Sequence, residues 1–227
     1  MQRGGASVLQ EDTPRKLTRG SRLIHMPGTW IALLLISISS AASVDPDVAK
    51  ARLCEGNARV VSGKATCPRQ SDAVRATLAT TQKPFAVVVS CSDSRVPPEL
   101  IFDQGLGDLF VIRVAGEVLD GPALGSVEYG VAHLGARLVV VLGHERCGAV
   151  QAAMGEGHAS PNLEALIAPI KPAVDSVADK KGDKLDLAVR ANVARVVRQI
   201  REAIAVEGFE VTGMYYDLDT ATVENLP

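Results

Sequence analysis

The sequence predicts an α/β fold with a mainly parallel central sheet flanked by helices. Short apolar runs at 85–90, 109–114, 138–142 and 209–216 have the length and β-branched content of buried strands. Stretches with helical periodicity or helix-start signals lie between them. Strands alternating with helices in chain order favour parallel pairing, with helices on both faces.

Residues 1–43 form a leader outside this fold. Arg15, Lys16, Arg19 and Arg22 precede the apolar run Trp30-Ile-Ala-Leu-Leu-Leu-Ile-Ser-Ile38, and small residues follow at Ser39-Ser-Ala-Ala-Ser43. A basic region, a short apolar region and a small-residue site make a secretory signal pattern. The run is too short for a comfortable membrane span. The expectation is a periplasmic or secreted protein of residues 44–227. If the leader is not a functional signal the protein is cytoplasmic, and a start at Met26 would remove the basic residues and weaken the signal.

From Asp47 to about Val61 the chain predicts a helix with Val48, Ala51, Leu53 and Cys54 as candidate buried positions. A loop carrying Pro68 follows, and Ser71 caps a short helix to about Thr80. Pro97 and Pro98 suit a helix start after the first strand. Gly121-Pro122 opens a helix to about Leu134, and Gly148 begins a short one to about Met154. His158 falls in the Gly-rich break that follows. Leu163 to about Ala178 is helical with interruptions at Pro169 and Pro172. A long helix from Leu185 to about Val206 carries Leu187, Val193, Val196, Val197 and Ile200 on one apolar stripe, with Gly208 as its stop. A short last strand is expected at 221–224.

Composition narrows the function. The chain has 227 residues, is 47% hydrophobic and only 4% aromatic, and carries a net charge of −2. Val, Ala and Leu must fill the core. No basic stripe with interleaved aromatics points to nucleic acid, and no stable membrane span is expected. Of the four cysteines, Cys54 and Cys67 lie close together in sequence. They are either a disulfide pair or two unrelated thiols.

The other two cysteines sit just after apolar strands. Phe85-Ala-Val-Val-Val-Ser90 leads into Cys91-Ser-Asp-Ser-Arg95, and Leu138-Val-Val-Val-Leu142 into Gly143-His-Glu-Arg-Cys147. In an open α/β sheet, ligands collect outside the carboxyl ends of parallel strands. Two thiolates and one imidazole there suit zinc, with a fourth position left for Asp93, water or substrate. A lone Cys after a strand is usually a small buried hydrophobe, but two with a His and an Asp-x-Arg between them point to a metal. His133 and His158 have no neighbours at ligand spacing. Gly105 and Gly107 lack the third glycine of a dinucleotide loop.

These motifs resemble those of the β-class carbonic anhydrases. Cys91-Ser-Asp-Ser-Arg-Val-Pro-Pro-Glu99 is similar to that family's first metal motif, and Leu142-Gly-His-Glu-Arg-Cys-Gly-Ala149 to its second. Ile101–Asp108, Ile112–Gly116 and Tyr215–Thr220 resemble further family segments, so the likeness covers roughly residues 48–224. The resemblance implies four parallel strands plus an antiparallel edge strand. It implies one Zn²⁺ per chain on Cys91, His144 and Cys147, with Asp93 either ligating zinc or pairing with Arg95. It implies reversible hydration of carbon dioxide to bicarbonate and a proton by zinc-bound hydroxide. Gln82 and the backbone N–H of Gly148 would donate to substrate oxygen. It further implies a homodimer or higher homo-oligomer, with the N-terminal helices and the Phe102-Asp-Gln104 loop at the interface.

Two departures stand out. Val88 occupies the place where some members carry the tryptophan of an inhibitory bicarbonate site, so that site is expected to be absent. Glu117 stands where the family often has asparagine. Two alternatives remain: a related zinc hydrolase acting on carbon disulfide or carbonyl sulfide, and a non-catalytic zinc or thiol binding module.

Overall fold

The structure, a computed structural model, describes residues 43–155 and 160–227. Leader residues 1–42 and His158 lie outside the described residues.

The chain forms, in order, α1 (Pro46–Val61), α2 (Asp72–Leu78), β1 (Ala86–Ser90), α3 (Pro98–Ile101), β2 (Leu109–Arg113), α4 (Gly121–Ala132), β3 (Leu138–His144), α5 (Gly148–Ala153), α6 (Pro161–Ile167), α7 (Lys171–Asp175), α8 (Lys184–Ala203), β4 (Glu210–Tyr216) and β5 (Val223–Leu226). The sheet order is β2-β1-β3-β4-β5. β1 runs parallel to β2 and β3, β3 parallel to β4, and β5 pairs antiparallel with β4. The expected α/β architecture, with four parallel strands and an antiparallel edge, is therefore present.

β1 and β3 are central and every residue of both is buried. Alternate side chains serve opposite faces, as strand geometry requires. Val87, Val89, Val139 and Val141 pack with Val127 and Val131 of α4 and Val193, Val196 and Ile200 of α8. Ala86, Val88, Leu138, Val140 and Leu142 pack on the other face with Leu53 of α1, Ile101 of α3 and Val150 of α5. Aliphatic side chains fill both layers. Among the described residues no helix is long and apolar enough to cross a membrane.

Local chemistry moved several expected boundaries. In α1 the buried stripe is Ala49, Leu53, Gly56 and Asn57, while Val48, Ala51 and Cys54 face outward. Small residues on that stripe allow close approach: a Cβ on Gly56 would overlap the Phe102 carbonyl. Asn57 then reaches across to the last turn, donating to the carbonyls of Ile101 and Ala221 and accepting from the Val223 N–H. Ala221 sits at φ +58°, so the final strand starts at Val223 instead of 221. β3 runs two residues past Leu142, because Gly143 packs its bare Cα against Val193 and keeps the strand on α8. The stretch 163–178 splits into α6 and α7, with Pro169 between them and Pro172 in the first turn of α7.

α8 ends at Ala203, short of Val206. Ile204 turns extended (φ −105°, ψ 107°) and is buried in the α4/α8 layer, which draws the chain out of the helix. Gly208 belongs to the following turn, with φ +76°.

Phe102 and Asp103, expected at an interface, are buried within the chain. Asp103 accepts from Arg59, from the backbone and hydroxyl of Thr66 and from the Cys67 N–H, which ties the N-terminal segment to the sheet. Cys54 and Cys67 are both free and exposed.

Candidate metal centre

Parallel pairing of β1 with β3 sends both strand ends to the same edge of the sheet. Cys91 follows β1 directly, His144 is the last residue of β3, and Cys147 is the residue preceding α5. Their ligand atoms, Sγ of both cysteines and a ring nitrogen of His144, all lie within 4.8 Å of one another. All three residues are buried.

The donor set fits zinc. The sulfurs are 4.0 Å apart, and tetrahedral zinc with bonds of about 2.3 Å holds two thiolates about 3.8 Å apart. His144 Nδ1 lies 2.9 Å from the Glu145 carbonyl oxygen. A carbonyl only accepts, so Nδ1 carries the proton and Nε2 keeps its lone pair. Nε2 is buried without a hydrogen-bond partner among the described residues, an arrangement that costs free energy unless a ligand fills it.

The two thiols are poised as an unequal pair. Cys91 is held well below the usual thiol range, first by the hydrogen bond with Cys147, with His144 and the backbone N–H groups of Gly116 and Asp93 acting against the burial. Cys147 is pushed up by that same hydrogen bond and by desolvation. A cation held by both sulfurs would release the proton of their shared hydrogen bond.

Asp93 is outside the three-donor cluster. Its Oδ1 accepts from Arg95 Nε at 3.0 Å and its Oδ2 from Arg95 Nη2 at 2.7 Å. Oδ2 lies 4.0 Å from His144 Nε2. The Arg95 guanidinium holds the carboxyl well below its usual range, so Asp93 is a carboxylate paired with an arginine beside the three-donor cluster. Gly148 is exposed at the start of α5 with open space beside its Cα.

Gln82 is elsewhere. It precedes β1, whereas Cys91 follows it, so about 17 Å of strand separates the two ends. Gln82 lines an open groove of about 620 Å³ with Leu78, Thr81, Leu106 and Gly107. The distance removes it from the metal centre of its own chain.

Other residues around the site escaped the sequence reasoning. Arg113, at the end of β2, donates to the Cys91 carbonyl at 2.9 Å and the Asp93 carbonyl at 2.5 Å, which fixes the loop that carries both. A charged residue closing an apolar strand was the available signal. Arg146 sits at φ +53°, forms a two-pronged pair with Asp219, and offers its carbonyl to Arg95. The turn at 217–220 thus braces the second metal loop.

A family model described as carbonic anhydrase matches residues 86–223, and the solved structure of a tetrameric β-carbonic anhydrase from Sordaria macrospora superposes with a TM-score of 0.61 at 29% identity, covering 76% of this chain and 93% of that one. The chain belongs to the β-class carbonic anhydrase family. A Coccomyxa β-carbonic anhydrase, solved with acetazolamide, gives a TM-score of 0.62 at 26% identity over 76% of this chain and 83% of that one. Carbonic anhydrase 2 of Mycobacterium tuberculosis is 54% identical over 112 residues, 49% of this chain and 54% of that protein. The match thus spans about half the length of that relative. The Pseudomonas aeruginosa carbonic anhydrase is 35% identical over 66% of this chain and 76% of its own length. For a β-class carbonic anhydrase, this chain's first metal loop ends in a carboxylate already withdrawn onto its arginine.

Proposed function

We propose that the chain catalyses the reversible hydration of carbon dioxide to bicarbonate and a proton, with one zinc ion held by Cys91, His144 and Cys147. The observation that carries this is the buried three-donor cluster with a bare His144 Nε2 beside a carboxylate withdrawn onto Arg95. Zinc bound there supplies Lewis acidity that brings the deprotonation of water near neutrality.

The protein groups divide the remaining work. Asp93, kept ionised by Arg95, is the acceptor that orients the attacking water through its hydrogen. Arg95 keeps that carboxylate from closing the fourth coordination position. Arg113 holds the loop in register by two carbonyls. Gly148 is exposed at the start of α5, and its backbone N–H is the proposed donor to a substrate oxygen.

Assembly into a homo-oligomer is part of the proposal. No residue of α2 is buried, and Leu100 and Leu106 are 63% and 44% exposed beside it. The Sordaria relative is described as tetrameric. Gln82 lies in this face, so any contact it makes with a metal centre is with that of another copy. The leader is proposed to direct export, with cleavage near Ala42–Ser43, which mass spectrometry of the mature N-terminus tests.

Stopped-flow carbon dioxide hydration across pH, with metal analysis of the same sample, tests the activity. Hydration that tracks one zinc per chain is the expected result. A zinc-loaded chain with no hydration at any pH would overturn it.

A further inference from the structure

Behind the metal loops lies a buried polar network that the proposed chemistry does not use. Glu117 and Asn192 are both 0% exposed. Asn192 belongs to α8, where it interrupts the apolar stripe formed by Val189, Val193 and Val196. Its Nδ2 donates to the Gly116 carbonyl at 2.8 Å and lies 3.5 Å from Glu117 Oε2. Arg195 Nε donates to Asn192 Oδ1 at 3.1 Å, and Gln199 extends the chain of contacts by accepting from Arg195 and donating to the Leu119 carbonyl. Neither Glu117 Oε1 nor Arg195 Nη2 has a hydrogen-bond partner among the described residues.

The segment held by this network is unusual. Gly116 and Glu117 are consecutive residues in the left-handed region, at φ +65° and +52°. Glycine adopts that conformation freely, but a glutamate there is strained. A Cβ on Gly116 would come within 2.7 Å of Ile170 and 3.1 Å of Ala149, so packing also demands glycine. The product of this backbone is one contact: the Gly116 N–H points at the Cys91 sulfur, 3.3 Å away. Strain of this kind persists only where surrounding contacts over-determine it. Here the packing comes from Ile170 and Ala149, and the side-chain hydrogen bond comes from α8.

We propose that Asn192 is a positioning residue for the metal centre: by gripping the Gly116 carbonyl it fixes the Gly116 N–H on the Cys91 sulfur, and Glu117 and Arg195 hold the Asn192 amide turned for that task. An N–H···S hydrogen bond draws charge from a thiolate and weakens its donation to a metal. Two thiolates otherwise quench the Lewis acidity that the site needs. The network thus connects the long helix α8 to the electron density on one ligand. This inference rests on Cys91 being a metal ligand, and not on the identity of the substrate.

The test uses the full chain loaded with cobalt(II) in place of zinc. Sulfur-to-cobalt charge-transfer absorption reports how electron-rich the thiolates are. Asn192→Leu and Asn192→Ala both remove the donor to Gly116. In each, the band should move to longer wavelength while cobalt still binds at one per chain. An unshifted band overturns the proposal even if affinity falls, because a merely structural role would weaken binding alone. Should both variants fail to fold, Arg195→Ala leaves the donor to Gly116 in place and removes the contact that orients the amide, together with the contact to Gln199. It should shift the band in the same direction by less, and no shift there overturns the proposal equally. Hydration is read separately. An unaltered chain that binds metal without hydrating carbon dioxide would overturn the function proposed above and leave the band test standing.

Discussion

Arg95 grips both oxygens of Asp93, and its own backbone N–H adds a third hydrogen bond to Oδ1 at 2.9 Å. The two residues are separated by one serine, so the pair is built into the loop itself. Oδ2 remains 4.0 Å from His144 Nε2. A modest side-chain rotation, with the arginine gone, would bring the carboxylate onto the metal.

Arg95→Ala is therefore expected to separate metal binding from turnover. Zinc content should stay near one per chain, since Cys91, His144 and Cys147 are untouched. Hydration should drop by about 100-fold as Asp93 takes the free position. Asp93→Asn should also retain zinc and lose turnover, because the amide cannot serve as the ionised acceptor. Near-normal hydration by Arg95→Ala at neutral pH would reduce Arg95 to a plain ion-pair partner.

Cys147→Ser should behave differently. It removes a ligand, so zinc and hydration should fall together in metal analysis and stopped-flow assays of one sample. A variant that keeps full zinc but loses activity would place Cys147 outside the ligand set.

The three-donor cluster was legible because chemistry constrains it locally: Cys91 and Cys147 follow strands whose apolar runs are plain in sequence, and His144 closes one of them. What supports them was not legible. Asn192 looks like a blemish on an amphipathic helix until its contact with Gly116 is seen. Arg113 closes an apolar strand, which is a signal, but its partners are backbone carbonyls that residue identity does not reveal. The buried stripe of α1 misled periodicity because Ala49, Gly56 and Asn57 are chosen for closeness and hydrogen bonding, with Leu53 the one large apolar member. The placement of Gln82 depends on strand direction, which the motif alone does not convey.

Gly56→Ala tests the close approach of α1. Alanine is the better helix former by about 1 kcal/mol, so an exposed site would gain stability. Here a Cβ would overlap the Phe102 carbonyl, and backbone cannot rotate away as a side chain can. Chemical denaturation should show a net loss of at least about 2 kcal/mol. A stabilised variant would mean that α1 sits farther from Phe102.

Asp103 should make stability acid-sensitive. Burial alone would raise its pKa, but Arg59, the Thr66 N–H and hydroxyl, and the Cys67 N–H outweigh it and hold the carboxyl down to about 2, from 3.8. A group depressed on folding contributes its full stabilisation above the unfolded pKa and loses it as pH falls through the folded one. For Asp103 the window runs from 3.8 down to about 2. Asp103→Asn isolates this residue from other carboxylates that titrate nearby. Asparagine tolerates the φ of +46° at this position, so the backbone is kept while the charge and one acceptor oxygen are lost. Denaturation at pH 7 should find the variant less stable by about 2 kcal/mol. Repeated at successively lower pH, the gap should hold to about pH 4 and then close toward pH 2, as the unaltered chain takes up the proton that the variant never needed. A gap that stayed constant across that range would show that Asp103 acts through shape, and that the charge-assisted contacts with Arg59 and Thr66 contribute nothing to holding the N-terminal segment on the sheet.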